Sequence, residues 1–503
     1  MNATDYGLGR RAAQYVLDSS RTSSRCGSPQ PTPFKLLTLA VALLIVAIGP
    51  RVAHAGQPGA MGDEIARLMQ DAAAKGSLAS LTAQVRRDGE VIFSKSVGFA
   101  DLEQDVRATP DGLYAIGSIT KSMTAYCIFN LVNEGKLKLS ERLSDLLPDY
   151  PGPGGQATIL QLLTHTSGIP DYAGDSAPDL IGDPTRLLSE KDVVALFAHH
   201  PAVFNPGEHW QYSNSGFFLL GMVIEKVTGR NYDDVVHEML LTPFGLTHVL
   251  MDYRQPLMKN RVRGYSHDAQ GRVQNAPVYD ATIALAAGGY QASVGDLTRY
   301  IEVLFSDKVP PAIHSLMLTP MTLNDGTPIS YRPGALVAAD LQGHRIFSHA
   351  GGIWGFHAFV SYMPEDKLAI GLMTNTDDGP VSLADLDRKI ARIVLDIPHP
   401  DVHDYPLSKR EGESFAGKYC LRELLMSGSE VTVAYDGRHL TFARGTSASS
   451  SPATPLRNQG GGRFVPGSDE DAEVRFGTAK SAATSLRWTT SPGGILSGPR
   501  CPK

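Results

Sequence analysis

Segments with strand character lie at both ends of a region whose middle is mostly helical. This layout constrains the fold more than any other feature of the chain. At one end, Leu81 to Phe99 reads as two strands around a turn at Asp88-Gly89. At the other, Arg345 to Asn375 is rich in alternating and β-branched residues, broken by Gly351-Gly352 and by Pro364-Glu365-Asp366. It predicts two or three antiparallel strands. Between them, apolar runs from Ser118 to about Glu134 and from Phe217 to Thr228 are stopped by Gly135 and Gly229 and read as helices. Gly62 to Lys75 is expected to be an amphipathic helix, with Ile65, Leu68, Met69 and Ala72 at helical spacing. Residues 140–200 mix short helices with Pro- and Gly-rich loops. Strands so placed imply an α+β domain, over 56–395, whose sheet is assembled from distant parts of the chain.

The texture changes further on. Residues 396–412 carry proline and charge and read as a linker. Glu430 to Tyr435, a turn at Asp436-Gly437, and His439 to Phe442 form a hairpin signal. Ser447 to Thr454 is a low-complexity loop, and Arg463–Val465, Ala472–Phe476 and Ser485–Thr489 read as short strands. A small all-β domain over 413–503 is expected. It holds Cys420 and Cys501, which are expected to pair in an oxidising compartment. Closing that loop would stabilise the domain by about 4 kcal/mol. Cys127 falls on an apolar helical face and reads as a buried free thiol.

The chain carries a formal charge of −6. Residues 1–55 hold Arg10, Arg11, Arg21, Arg25, Lys35 and Arg51 against Asp5 and Asp18, so the remainder is more acidic still. An acidic body without a basic run argues against a nucleic-acid partner. Lys35, the apolar run Leu36–Ile48 and Ala53-His54-Ala55 form a secretory-leader pattern with cleavage after Ala55, which implies a periplasmic or secreted protein. An uncleaved anchor is the other reading of that run, and membrane association is expected only through it. The stretch before Lys35 is long for a leader, which leaves either a start downstream of Met1 or an extended leader.

The chemistry rests on Ser118-Ile119-Thr120-Lys121. A serine three residues before a lysine on a helix's first turn puts both side chains on one face. The lysine can take the hydroxyl proton, and the helix N-terminus favours the developing alkoxide. Ser118 would then carry an acyl group. Tyr212-Ser213-Asn214 precedes the second apolar helix. A tyrosine near a lysine there would titrate low enough to shuttle a proton, and Asn214 would bond both Lys121 and a substrate carbonyl. His349-Ala350-Gly351-Gly352 opens a strong strand that can hold substrate by backbone pairing. Its glycines allow close approach, and an amide there, with that of Ser118, would form an oxyanion hole. Each element alone also fits a plain structural role: an exposed cap, a loop tyrosine, a tight turn.

Taken together in order, these elements resemble the serine penicillin-recognising hydrolases, in particular the group of class C β-lactamases, D-Ala-D-Ala carboxypeptidases, D-aminopeptidases and related esterases. Leu160-Gln-Leu-Leu-Thr-His-Thr-Ser-Gly168, Pro206-Gly207, Thr242-Pro-Phe-Gly-Leu246, Ala287-Gly288-Gly289 and Gly352-Ile353 with Gly355-Phe356 are similar too, so the likeness spans about 62–395. It implies a β-lactamase/transpeptidase-like fold and an acyl-enzyme on Ser118. Lys121 would assist proton removal and Tyr212 would act as general base. Asn214 would position lysine and substrate, and the amides of Ser118 and Gly352 would make the oxyanion hole. His349 stands where β-lactamases of this group have the lysine of Lys-Thr-Gly. A histidine offers a substrate carboxylate a weaker, pH-dependent charge, so poor β-lactam turnover is expected.

A Ser-His-Asp hydrolase is disfavoured because no Gly-x-Ser-x-Gly elbow is present, and a metallohydrolase because no His-Glu-x-x-His or clustered Cys/His pattern is. His199, His200 and His209 read as surface residues and His165 as structural. A non-catalytic binding protein on the same fold would be marked by a missing catalytic residue, whereas Ser118, Lys121 and Tyr212 are all present. No metal or organic cofactor is implied. Cell-wall peptide, D-amino-acid peptide, ester and β-lactam all suit the same nucleophile. A carboxypeptidase- or D-aminopeptidase-like peptidase is the leading expectation, with an esterase or weak β-lactamase as the alternative.

Overall fold

The computed structural model describes residues 59–501 apart from 174–187, 254–256, 378, 380, 422–429, 446–452, 468, 480–481 and 491–494. The expected leader and most of the 447–454 loop lie outside the described residues. No helix among the described residues is long and apolar enough to cross a membrane.

The two strand-rich ends meet in one antiparallel sheet. Its order is Tyr331–Arg332, Leu336–Leu341, His344–Ile353, Phe356–Met363, Leu368–Thr374, Ser80–Arg87, Glu90–Asp101 and Val106–Arg107. Leu81 pairs with Thr374 and Arg87 with Leu368, which closes a separation of most of the domain. Side chains alternate across the strand Ser80–Arg87. Leu81, Ala83 and Val85 pack on one face with Ile65 and Met69 of helix Ala60–Gly76 and Leu386 and Ile390 of helix Leu383–Leu395. Ser80, Thr82 and Gln84 alternate with these residues and are also buried. They are satisfied there: the Tyr114 hydroxyl lies 2.8 Å from Ser80 Oγ and 3.1 Å from Thr82 Oγ1, and Thr298 donates to Gln84 at 2.6 Å. An unpaired buried hydroxyl would cost about 1–3 kcal/mol.

The middle of the chain forms the helical half. Helix Thr120–Asn133 is buried along almost its whole length and packs with helix Asn214–Thr228 through a core that includes Phe129, Phe217, Leu220 and Ile224. Ser213 caps the second helix by accepting the Gly216 N–H, and Gly229 ends it at φ 68°. Cys127 is buried and free, as expected.

The C-terminal part is an eight-stranded antiparallel meander, each strand beside the next from Gly417–Cys420 to Ile495–Pro499. A bridge between Tyr419 and Arg500 brings the first strand to the last, so the sheet approaches a closed barrel. Phe415, Tyr419, Phe464, Phe476 and Leu486 fill it. The Cys420–Cys501 disulfide forms at the same closure. Helix Lys409–Phe415, begun by a Ser408–Glu411 capping box, occupies the end of the stretch read as linker. Arg392, 3% exposed, reaches from helix Leu383–Leu395 to Asp471 of the meander at 2.5 Å.

Candidate active site

The sheet and the helical half meet at Ser118. The serine sits in a 3-10 turn, Gly117–Ile119, that runs directly into helix Thr120–Asn133. The turn packs backbone to backbone against strand His344–Ile353. A Cβ on Gly117, which has φ 47°, would lie 2.8 Å from the Gly352 nitrogen, and one on Gly351 would lie 1.9 Å from the Ile116 oxygen. Only glycines allow this approach, and it sets Gly351 and Gly352 beside Ser118.

Lys121 is fully buried, with Nζ 3.1 Å from Ser118 Oγ, 2.7 Å from Asn214 Oδ1 and 2.6 Å from the Ala287 carbonyl oxygen. Burial lowers its pKa to about 7, although the nearby Asp171 pulls upward. Near neutrality a large share is therefore the free amine. That amine can donate to Asn214 and Ala287 and keep its lone pair for the serine hydroxyl.

Tyr212 lies beside this pair, its ring centroid 4.8 Å from Nζ. The expectation that it titrates low is corrected: burial pushes the phenol up, well past the neighbouring Ser118 hydroxyl's opposing effect. Tyr212 is a protonated phenol over the working range.

His349 is also corrected. It is buried, with Nε2 3.0 Å from the Tyr331 hydroxyl and Nδ1 2.5 Å from the Ala350 carbonyl. Burial, and secondarily Lys121, push its pKa down to about 4. The ring is neutral near pH 7 and provides no charge for a carboxylate.

The Leu-Leu-Thr-His-Thr-Ser-Gly segment has a structural explanation. His165, at φ 58° and 1% exposed, accepts the Ser213 N–H through Nδ1 at 3.1 Å, and its carbonyl accepts the Gln211 N–H at 2.9 Å. Its ring centroid lies 4.3 Å from that of Tyr212. His165 thus shapes the backbone that carries Tyr212, and burial keeps it neutral.

Ser118, Lys121, Tyr212, Asn214, His349, Gly351 and Gly352 therefore converge on one place. Two participants were missed, Tyr331, the partner of His349, and Asp171, whose carboxylate holds Asn214; Ala287 stood out only as part of Ala287-Gly288-Gly289, without the role its carbonyl plays for Lys121. Asp171 follows the signature ending at Gly168 by three residues, which was the available clue. Among the described residues no group of three or more His, Cys, Asp or Glu side chains is arranged to hold a metal.

A buried lysine on a serine at a helix start, an asparagine from a second helix and a glycine strand beside them form a specific arrangement, and the chain that carries it is similar to known proteins. Penicillin-binding protein 4* of Bacillus subtilis is 26% identical over 378 residues, covering 71% of this chain and 82% of that protein. The structure of a D-stereospecific amidohydrolase from Streptomyces sp. superposes with TM-score 0.58 at 27% identity, over 66% of this chain and 97% of that one. An octameric penicillin-binding protein homologue from Pyrococcus abyssi, 23% identical, shares the fold over 86% of this chain and 99% of its own, with TM-score 0.59. The Beta-lactamase family model matches residues 65–395. The chain belongs to the Beta-lactamase family and is a serine hydrolase of its fold.

Proposed function

We propose that this enzyme hydrolyses amides of D-configured residues, in the manner of a D-aminopeptidase or amidase, and turns over β-lactams poorly. The observation that carries this is the neutral, tyrosine-paired His349. Lys121 is engaged with Ser118, Asn214 and Ala287. His349 therefore offers a substrate carboxylate no charge, which favours an amide over a C-terminal acid. The preference for D configuration follows the Streptomyces amidohydrolase, and the machinery otherwise suits a carboxypeptidase equally.

In this reading neutral Lys121 takes the Ser118 proton as Oγ attacks the amide carbonyl carbon. The oxyanion forms against the amides of Ser118 and Gly352. The Tyr212 phenol passes its proton to the departing nitrogen and is reprotonated by Lys121, so the C–N bond breaks and an ester remains on Ser118. Water then attacks that ester by the reverse proton route and releases the acid. The Cys420–Cys501 disulfide supports a periplasmic or secreted location.

The test compares p-nitroanilides of D- and L-amino acids, an acyl-D-Ala-D-Ala peptide and a chromogenic cephalosporin. The expected result is D-anilide cleavage at least about tenfold faster than L, abolished by Ser118→Ala. Faster hydrolysis of the free-acid peptide or the cephalosporin would overturn the assignment.

A further inference from the structure

Asp171 lies after the short helix Ile159–Leu163 and is 6% exposed. Its Oδ1 accepts the backbone N–H of Asn214 at 2.9 Å and that of Ala173 at 3.2 Å, and its Oδ2 accepts Asn214 Nδ2 at 3.1 Å. This pairing decides which way the Asn214 amide faces. Nδ2 is committed to the carboxylate, so Oδ1 is turned to Lys121, 2.7 Å away. The flipped amide would set Nδ2 against the lysine and Oδ1 against the carboxylate, losing both bonds.

A neutral acceptor would suffice for that orientation. A carboxylate taken out of water is costly unless a nearby positive charge offsets it. Burial pushes the Asp171 carboxyl up, and the N–H bonds from Ala173 and Asn214, then the charge of Lys121, act against that rise to keep it ionised. We propose that Asp171 is the positioning residue of this active site: it locks the Asn214 carbonyl toward Lys121 and supplies the negative charge against which that lysine gains and loses its proton. The inference rests on the acyl-enzyme reading of Ser118.

The remaining titratable groups around Lys121 do not supply this charge. His165 and His349 are held neutral by burial, and Tyr212 is held as the phenol. Tyr172, next to Asp171 in the chain, is likewise kept protonated. Burial alone drives Lys121 down, and Asp171 opposes it. Removing the charge while keeping the shape makes Lys121 lose its proton at lower pH and makes it a weaker base.

The experiment is the pH dependence of Ser118 phosphonylation by a fluorophosphonate, from pH 5 to 10, in the full chain. Oγ forms the O–P bond, fluoride leaves, and the hydroxyl proton passes to Lys121, so the readout needs no knowledge of the natural substrate. In wild type the rate should rise through a midpoint near pH 7. In Asp171→Asn the midpoint should fall by about one unit or more, with a plateau about tenfold lower. Asp171→Glu, which keeps the charge, should return the midpoint to that of wild type. Asp171→Ser serves as the second neutral variant if Asp171→Asn does not fold. An unchanged midpoint in a folded neutral variant overturns the proposal. Labelling with the expected midpoints but no cleavage of D-anilides leaves this proposal standing and removes the substrate assignment. A wild-type Ser118 that takes no probe at any pH removes both.

Discussion

Lys121 Nζ stands 3.1 Å from Ser118 Oγ while it also reaches Asn214 Oδ1 and the Ala287 carbonyl at 2.7 and 2.6 Å. Two strong acceptors and one hydroxyl around a buried amine leave it one useful direction for a lone pair. Lys121→Arg keeps the positive charge but cannot give up its proton. It should lower kcat/KM for the D-anilide by about 10²–10⁴-fold, the range of a lost general base. Retention of more than about a tenth of wild-type activity would place the base elsewhere.

The same amine sets the pH profile. Its pKa of about 7 is lowered from the usual lysine range, and the active form is the neutral one. Activity should therefore rise with pH through about 7 and level off above it. His349, neutral above about 4, adds no limb between pH 5 and 9. Tyr212, pushed upward by burial, gives no basic limb below pH 10. A kcat/KM profile that falls between pH 7 and 9 would contradict this assignment.

His349→Lys would place an ammonium where the neutral ring now bonds Tyr331. Substrates with a free carboxylate next to the leaving group should gain, with penicillin acylation rising at least about tenfold. Burying that charge should lower Tm by several degrees. Stopped-flow acylation and calorimetry measure the two, and an unchanged acylation rate would mean that the leaving-group carboxylate does not pass this residue.

Gly351→Ala would drive a methyl onto the Ile116 carbonyl oxygen, 1.9 Å from the ideal Cβ position. The strand must then part from the Ser118 turn. Labelling of Ser118 should slow by about 10²-fold or more, the loss expected when an oxyanion donor is misplaced, while circular dichroism remains native. Wild-type labelling would show that the contact does not support the site.

Cys420→Ser or Cys501→Ser should destabilise the C-terminal meander by about 4 kcal/mol, the value for a loop of this length. Ser118 labelling should stay within twofold, because the bridge closes a different domain. A denaturant titration followed through Trp488, in the same meander, reads the effect. Equal midpoints with and without reductant would remove the stabilising role.

Much of this molecule was legible along the chain because its signals are local. Helix Asn214–Thr228 announces itself by an apolar run closed by Gly229, and strands Ser80–Arg87 and Glu90–Asp101 by the turn between them. The Ser118–Lys121 pair follows from helical spacing, which brings residues three apart onto one face whatever surrounds them. The pairing of Leu81 with Thr374 was foreseeable only as a need for a common sheet, and its register came from packing on both faces.

The charge states were decided by the tertiary structure alone. Tyr212 and His349 were expected to be a low-titrating phenol and a weak cation, and desolvation reversed both. Ala287 contributes through a main-chain oxygen, which any residue possesses, and Asp171 acts through an asparagine 43 positions away. Residue type and spacing along the chain determined which groups were present and which neighbours shared a helix face. How much water each group lost, and which distant partner replaced it, depended on folding the two halves against each other, because ionisation and hydrogen bonding answer to surroundings in space.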